Sequence, residues 1–362
     1  MRSDIIIPVH NGANFIKKCV ESALDVSALT GSSVIVSVNN CSDDTENILS
    51  KFNNKNLIII KPDKFLSGIE NLDFCLSYST AEYVISIGAD DMLNKEGQYE
   101  IYSYITHNIN SPAVVFGYDE IIDVDDVIRR THEDSLHWKN LDDNKIIFNS
   151  FTARNPNLNG AWVKKDLYRR FLDLYSHKLS CNAFVRVSDL YFWNFVCSSL
   201  LISNNLKGSF IYIHTPSIYY REYFEKKEFY RDIKIENNAI IGRSNYILDS
   251  IRMRDTHYSR HTTLVNKAIK VYLENNLVLL KKSLDSEKFE MLMSELYAQN
   301  LLSTSQRLLC YFNSDSVFVG IIFFGYGVRG KFKAMIGKLM KPFLYSVFGV
   351  KSITRGVHIK YK

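Results

Sequence analysis

Short apolar runs alternate with segments of helical period over the first ~90 residues, the pattern that builds a parallel sheet through crossover helices. Ile5-Ile6-Ile7 predicts a first strand, closed by Pro8. Phe15, Ile16, Cys19, Val20, Ala23 and Leu24 then recur at three-and-four spacing and predict a helix, with Asn11 or Asn14 placed to cap it. Val34 to Val38 predicts the second strand, and Leu57 to Ile60 the third. Between them Ser42 or Asp43 can cap a short helix carrying Ile48, Leu49 and Phe52. Ile69, Leu72, Phe74, Cys75 and Leu76 mark another helix, and Tyr83 to Ile87 a fourth strand that runs straight into Gly88-Ala89-Asp90-Asp91.

Further on the pattern is mixed, with Ala113 to Gly117 and Ser209 to Ile213 as strands around a helix near Asp189. Residues 223–300 are helical in period and contain no proline, which predicts a helical region. In open α/β sheets ligands bind beyond the carboxyl ends of strands. Pro8 to Asn11, Asn39 to Asp44 and Asp90-Asp91 all fall at such ends. No G-x-G-x-x-G follows the first strand and no G-x-x-x-x-G-K-[ST] occurs, so the crevice must hold its ligand by other means.

Composition narrows the class. At 362 residues, 46% hydrophobic and 23% charged, the chain is an ordinary globular protein rather than a disordered or polytopic one. Residues 301–362 hold ten Lys and Arg against the single acid Asp315, a net +9, so residues 1–300 carry −4 of the overall +5. A neutral-to-acidic body with a basic end argues against a nucleic-acid binder. The six cysteines form no C-x-x-C pair and no zinc spacing, and reduced thiols are expected. The first apolar run, Ile5 to Val9, is too short for a signal-peptide core, so no cleavable export signal is expected.

Two adjacent carboxylates at a strand end suit a divalent cation shared with a diphosphate, because Mg²⁺ and Mn²⁺ prefer hard oxygens. By itself an Asp-Asp pair is more often a solvated turn or a helix cap. Four segments make the chain resemble a family 2 glycosyltransferase of the GT-A fold: IIIPVHNGANFIKKCVESAL at 5–24, VIVSVNNCSDDTENIL at 34–49, GIENLDFCLSYSTAEYVISIGADDML at 68–93, and RVSDLYFWNF at 186–195 followed by FIYIHTPSIYYRE at 210–222. The resemblance implies an α/β fold with a mixed, mainly parallel central sheet and flanking helices over 1–222. A helical region over 223–300 and a basic amphipathic tail over 301–362 would follow. It further implies a nucleotide-sugar donor, UDP-linked by preference, with Mn²⁺ or Mg²⁺ as cofactor and sugar transfer with inversion.

Carried over residue by residue, the resemblance assigns Pro8, Val9, His10, Asn11, Asn39, Asn40, Asn71 and Asp90 to the donor. Asp91, with Asp90, is assigned to the metal, and Asp189 to the general base, although its position suits a helix N-cap equally. His214 and Arg221 are secondary candidates, for the metal shell and the diphosphate respectively. Two positions depart from the family pattern: Asn39-Asn40 stands where Asp is usual, and Gly88 where the first Asp of an Asp-x-Asp motif is common. The acidic stretch Asp119 to Asp126 and the cluster His132-Glu133-Asp134 read as solvated turns without chemistry.

The 13-residue apolar run Ser316 to Val328 is shorter than the ~17–25 needed to span a bilayer. Beyond it Phe332, Met335, Ile336, Leu339, Met340, Phe343, Leu344 and Val347 alternate with lysines, as in an interfacial helix or a face packed on the protein itself. The expected setting is the inner face of a cell membrane, with an anionic lipid surface and a glycan or lipid-linked glycan acceptor of O-antigen or capsule type. Two other readings follow from the departures and the sheet type, a non-catalytic nucleotide-sugar-binding subunit and a sugar nucleotidyltransferase. Sequence gives no oligomeric state.

Overall fold

Each apolar run of the first 90 residues that predicts a strand becomes one. The computed structural model describes residues 1–108, 111–132, 138, 142–152, 155–179, 188–201, 209–222, 233–284 and 286–302. Strands β1 (Ser3–Val9), β2 (Ser33–Val38), β3 (Leu57–Ile60) and β4 (Tyr83–Ser86) match the expected runs. Three short strands join them: β5 (Met92–Leu93), β7 (Ile128–His132) and β8 (Trp162–Lys164). Two are longer than their apolar cores, β6 (Val114–Ile122) and β9 (Phe210–Arg221). Among the described residues these nine form one sheet in the order β3-β2-β1-β4-β8-β6-β9-β5, with β7 on β6.

The half from β3 to β4 is wholly parallel, and so is the long β6–β9 ladder, whereas β8, β7 and β5 pair antiparallel. The result is the mixed, mainly parallel sheet expected of GT-A. Apolar side chains on one face, including Ile5, Ile7, Val34, Val36 and Ile85, meet Ile16, Cys19, Val20 and Ala23 of α1 (Ile16–Thr30) in a fully buried core. Full burial of each such side chain contributes about 1.5–3 kcal/mol.

Local signals were less reliable at helix starts. Neither Asn11 nor Asn14 caps α1: the cap residue is Phe15, with no side-chain bond, and Gly12 O accepts the Phe15 and Ile16 N–H groups instead. At α2 (Thr45–Ser50) the cap is Asp44, while the Asp43 carboxylate accepts from Thr45. Helix α3 (Gly68–Tyr78) carries a complete Ser67–Glu70 capping box. Helix α4 (Lys95–His107) is capped by Asn94 and lies so close to β9 that a Cβ on Gly97 would fall 1.7 Å from Pro216 O.

The described residues beyond β9 form helices Ile233–His257, Thr262–Ser283 and Ser286–Ala298. Tyr246 of the first donates to Ser150 O of α5 (Asp143–Thr152) at 3.1 Å, Tyr258 just past its end donates to Asn194 O of α7 (Ser188–Leu201) at 3.1 Å, and the second packs on α5. Helix α6 (Lys165–Leu179) meets α7 through an aromatic cluster of Tyr168, Phe171 and Phe192. Met1–Leu292 is one compact unit, and a second begins at Met293. The turn that follows the last described helix closes at Asn300, whose left-handed backbone lets Leu301 N–H reach Leu296 O.

The acidic stretch Asp119 to Asp126 is a solvated turn only at its tip, where Asp125 is exposed. Asp119 lies in β6 and is 2% exposed, and Asp123, 6% exposed, organises the tight β6–β7 turn. His132 ends β7, and Glu133 and Asp134 lie outside the described residues. So do Cys181, Cys310 and the whole basic tail, including Ser316 to Val328. The other four cysteines are free thiols, and no described helix is long and apolar enough to cross a membrane.

Close approach of α4 to β9 yields a contrast between two glycines. Gly97→Ala would force backbone apart and is expected to cost about 3 kcal/mol or more in urea unfolding. Gly68→Ala, with nothing within 4 Å of the added methyl, should stay within about 0.5 kcal/mol of wild type.

Candidate active site

Two loops close on each other beyond the carboxyl ends of β1 and β2. Thr45 Oγ1 accepts Gly12 N–H at 2.9 Å and Asp43 accepts Ala13 N–H at 2.9 Å, so the second loop holds the amides that lead into α1. In the other direction Asn11 Oδ1 accepts Ser42 N–H at 2.8 Å, and His10 Nδ1 meets Asn39 O at 2.8 Å. Asn11 and Asn40 both adopt left-handed backbone, φ 54° and 50°, a conformation asparagine tolerates better than most residues. The result is a rigid rim with exposed His10, Asn11 and Asn40 side chains.

Asn39 faces the other way. It is 2% exposed, and its amide pairs with the Leu66 backbone in both directions, Nδ2 to O at 2.8 Å and Oδ1 from N–H at 2.9 Å. That bridge fixes the loop before α3, which presents Phe65 edge-on to His10 with ring centroids 5.1 Å apart. An aspartate has no donor for Leu66 O, so asparagine at 39 suits this bridge. Asn71 is buried beneath, accepting from Ser37 Oγ at 2.5 Å. Val9 is core, and Pro8 is half-buried in β1.

At the end of β4 the chain turns through Gly88 to Asp91, whose N–H returns to Gly88 O at 3.0 Å. Asp90 is half-buried, whereas Asp91 is 2% exposed and fully engaged: Oδ1 accepts Arg221 N–H at 2.9 Å and Oδ2 accepts from Asn159 at 3.1 Å. Burial, then the neighbouring Asp90 charge, pushes the Asp91 carboxyl well above its ordinary range. Gly88 is what allows the pair to exist in this form. A Cβ there would lie 2.9 Å from Asp91 Oδ2 and 3.0 Å from Asp90 Oδ1. The turn is close to α1 as well, for Cys19 Sγ contacts Gly88 O at 3.5 Å. Burial, then the Asp91 charge, pushes the Cys19 thiol up, so it stays protonated and is no nucleophile.

The sequence model for Glycosyl transferase family 2 matches residues 4–226, well over half of the chain. The chain belongs to that family. By fold it is similar to S. aureus TarS, with a TM-score of 0.55 and 14% identity over 83% of this chain and 53% of that one. It is likewise similar to S. aureus TarS 1–349 in complex with UDP, with a TM-score of 0.52 and 14% identity over 86% of each chain. This chain therefore spans about half the length of the longer TarS structure. Comparison by sequence with curated proteins gives no match.

For this family 2 chain, the structure brings His10, Asn11 and Asn40 onto the two loops beyond β1 and β2, and links Asp90 to the start of α1 through Arg221 and Phe15. It does not bring His214 there. His214 is exposed, its Nδ1 2.9 Å from Tyr212 OH, and seven residues of strand, roughly 20 Å, separate it from Arg221. Arg221 is buried in structural bonds rather than turned to a ligand: Nε donates to Asp90 O at 2.7 Å, another N–H to Asp123 O, and the guanidinium stacks 4.5 Å from the Phe15 ring centroid. Asp189 is the second residue of α7. Trp193, one turn further on, holds Pro156 O at 3.0 Å, in the loop that carries Asn159 to Asp91.

Sequence reading missed Asn159, Phe65 and Asp126. Asn159 sits in an Asn-Pro-Asn-Leu-Asn-Gly run that signals only a turn, and its partner lies 68 residues away.

Linkage gives a pH test for the buried carboxylate. Asp91 is raised on folding, so its contribution is fully present below the ordinary carboxylate pKa of about 3.9 and is lost as pH rises through the folded value. In metal-free buffer, Asp91→Asn should therefore lose less stability than wild type between pH 4 and neutrality, read as the difference between their urea unfolding free energies. Equal slopes would remove the raised carboxyl.

Proposed function

We propose that this chain transfers a sugar from a nucleoside-diphosphate donor to a hydroxyl of a glycan or lipid-linked glycan, with inversion. The observation that carries this reading is the carboxylate turn at the end of β4, pinned between the start of α1 and the end of β9, with Ala89 3.6 Å from the place a Cβ on Gly12 of the first loop would take. UDP is the preferred carrier, as in the TarS 1–349 complex of the same fold. The His10 and Phe65 rings would flank the base, and the Asn40 amide offers it both a donor and an acceptor.

A divalent cation, Mn²⁺ or Mg²⁺, fits the turn. The space that a Cβ on Gly88 would fill is bordered by an oxygen from each acid. Among the described residues no three His, Cys, Asp or Glu gather around a metal position, so diphosphate and water would complete the shell, as hard cations allow. When bound, the cation supplies charge that offsets the leaving diphosphate. Half-buried Asp90 is the reaching ligand. Asp91 adds Oδ2 and, through its bonds to Arg221 and Asn159, holds the turn in place.

Asp189, at the start of α7, is the proposed base, taking the proton of the acceptor hydroxyl on a carboxylate oxygen. The basic, amphipathic stretch from Phe332 to Val347 supports a reaction at an anionic membrane surface, where several lysines at around 1 kcal/mol each would give reversible attachment. An O-antigen or capsule-type polysaccharide is the product class that suits such a location.

Nucleotide-sugar turnover with and without EDTA is the primary test, with calorimetric donor binding beside it. Asp90→Asn should lose Mn²⁺-dependent donor binding. Asp189→Asn should bind donor normally and turn over at least ~100-fold more slowly, the usual contribution of a general base. Donor binding without transfer in the wild type, with a lipid-linked acceptor supplied, would replace this reading by a non-catalytic subunit. Pyrophosphate release from NTP and sugar phosphate would replace it by a nucleotidyltransferase.

A further inference from the structure

The β6–β7 turn reaches the acidic turn through Asp126, which pairs with Arg221 of β9 and Lys18 of α1. Asp123 Oδ1 accepts the N–H groups of Asp125 at 2.9 Å and Val127 at 3.0 Å, and Asp126 N–H donates to Asp123 O at 3.2 Å. This network makes a tight tip and fixes Asp126 in left-handed backbone, φ 65°. Backbone alone would favour glycine or asparagine there. The position carries a carboxylate, and its oxygens are both used. Oδ1 accepts from Arg221 Nη2 at 2.5 Å, and Oδ2 accepts from Lys18 of α1.

Arg221 carries the connection inward. Its side chain is 0% exposed, so the guanidinium depends on protein partners for every bond it lacks with water. Asp126 is the carboxylate that balances its charge, while Nε holds Asp90 O and the backbone N–H holds Asp91 Oδ1. Phe15, which starts α1, covers the guanidinium face. One arginine thus ties the hairpin tip, the start of α1 and both residues of the acidic turn.

We propose that Asp126 is a positioning residue for Asp90: with Lys18 it anchors Arg221, and Arg221 sets the peptide that aims the Asp90 carboxylate at the donor diphosphate and its cation. The proposal rests on the glycosyltransferase reading of Asp90. Asp126 itself touches neither donor nor acceptor. Its removal should weaken what Asp90 does without removing the Asp90 carboxylate.

The test uses the full chain, UDP with Mn²⁺ as probe, and two readouts, calorimetric binding and amide hydrogen exchange over residues 88–92. Asp126→Asn keeps the shape and tolerates the left-handed backbone. It should raise the Mn²⁺ concentration needed for half-maximal UDP binding about tenfold, the scale of one lost charge-assisted hydrogen bond. It should also speed exchange at 88–92, while Asp126→Glu restores both toward wild type. If Asp126→Asn does not fold, Lys18→Gln, on the exposed side of the same clamp, should give about a two- to threefold shift in the same direction. Asp90→Asn separates the two layers. Mn²⁺-dependent UDP binding that survives Asp90→Asn defeats the reading of Asp90 and this proposal with it. Loss of binding in Asp90→Asn, together with unchanged Mn²⁺ dependence and exchange in Asp126→Asn and Lys18→Gln, defeats the positioning role alone.

Discussion

A single buried carboxylate joins three parts of the chain that are far apart in sequence. Asp91 takes a hydrogen bond from the last residue of β9 and another from the loop before β8, so the acidic turn is held from two sides. Burying such a group costs several kcal/mol unless it is hydrogen-bonded, and its raised pKa shows that the cost is only partly offset. A free-standing Asp-Asp turn would swing with its loop. Here the end of β4 cannot move without breaking bonds to β9.

The neighbouring structure works around that constraint. Gly88 leaves room for both carboxylates, and any side chain there would take the space they border. Arg221 spends its hydrogen bonds on the backbone of Asp90, Asp91 and Asp123 and on the Asp126 carboxylate. Its cation lies close to the acids without reaching a ligand. Asp91 is thereby bound into the architecture at 2% exposure, while Asp90 beside it stays half-buried.

On the nucleotide side the division of labour is similar. Of the two adjacent asparagines, Asn39 turns inward to act as a piece of backbone for Leu66, and Asn40 turns outward. The departure from the family's usual acid is therefore linked to a loop, the one that delivers Phe65 to His10. Shape and hydrogen-bond capacity at position 39 answer to the fold before they answer to the ligand.

Alternation of apolar runs with helical periods was enough to read the parallel half of the sheet and the core face of α1. It also placed the acidic pair at a strand end, because each of these depends on residues a few positions apart. Helix caps were harder: Asn11 is drawn away from α1 by Ser42 in the second loop, a partner that no local pattern reveals. The acidic stretch looked solvated because charge density is all that a sequence window records, whereas Arg221, some hundred residues later, is what makes Asp126 part of the site. Sequence by itself determined the family, the order of the early strands and which side chains could do chemistry. Only the tertiary structure decided which asparagine faces the crevice, which aspartate is buried, and that Arg221 is a tie rather than a ligand, since those choices are made by contacts between strands and loops that meet only when the sheet closes.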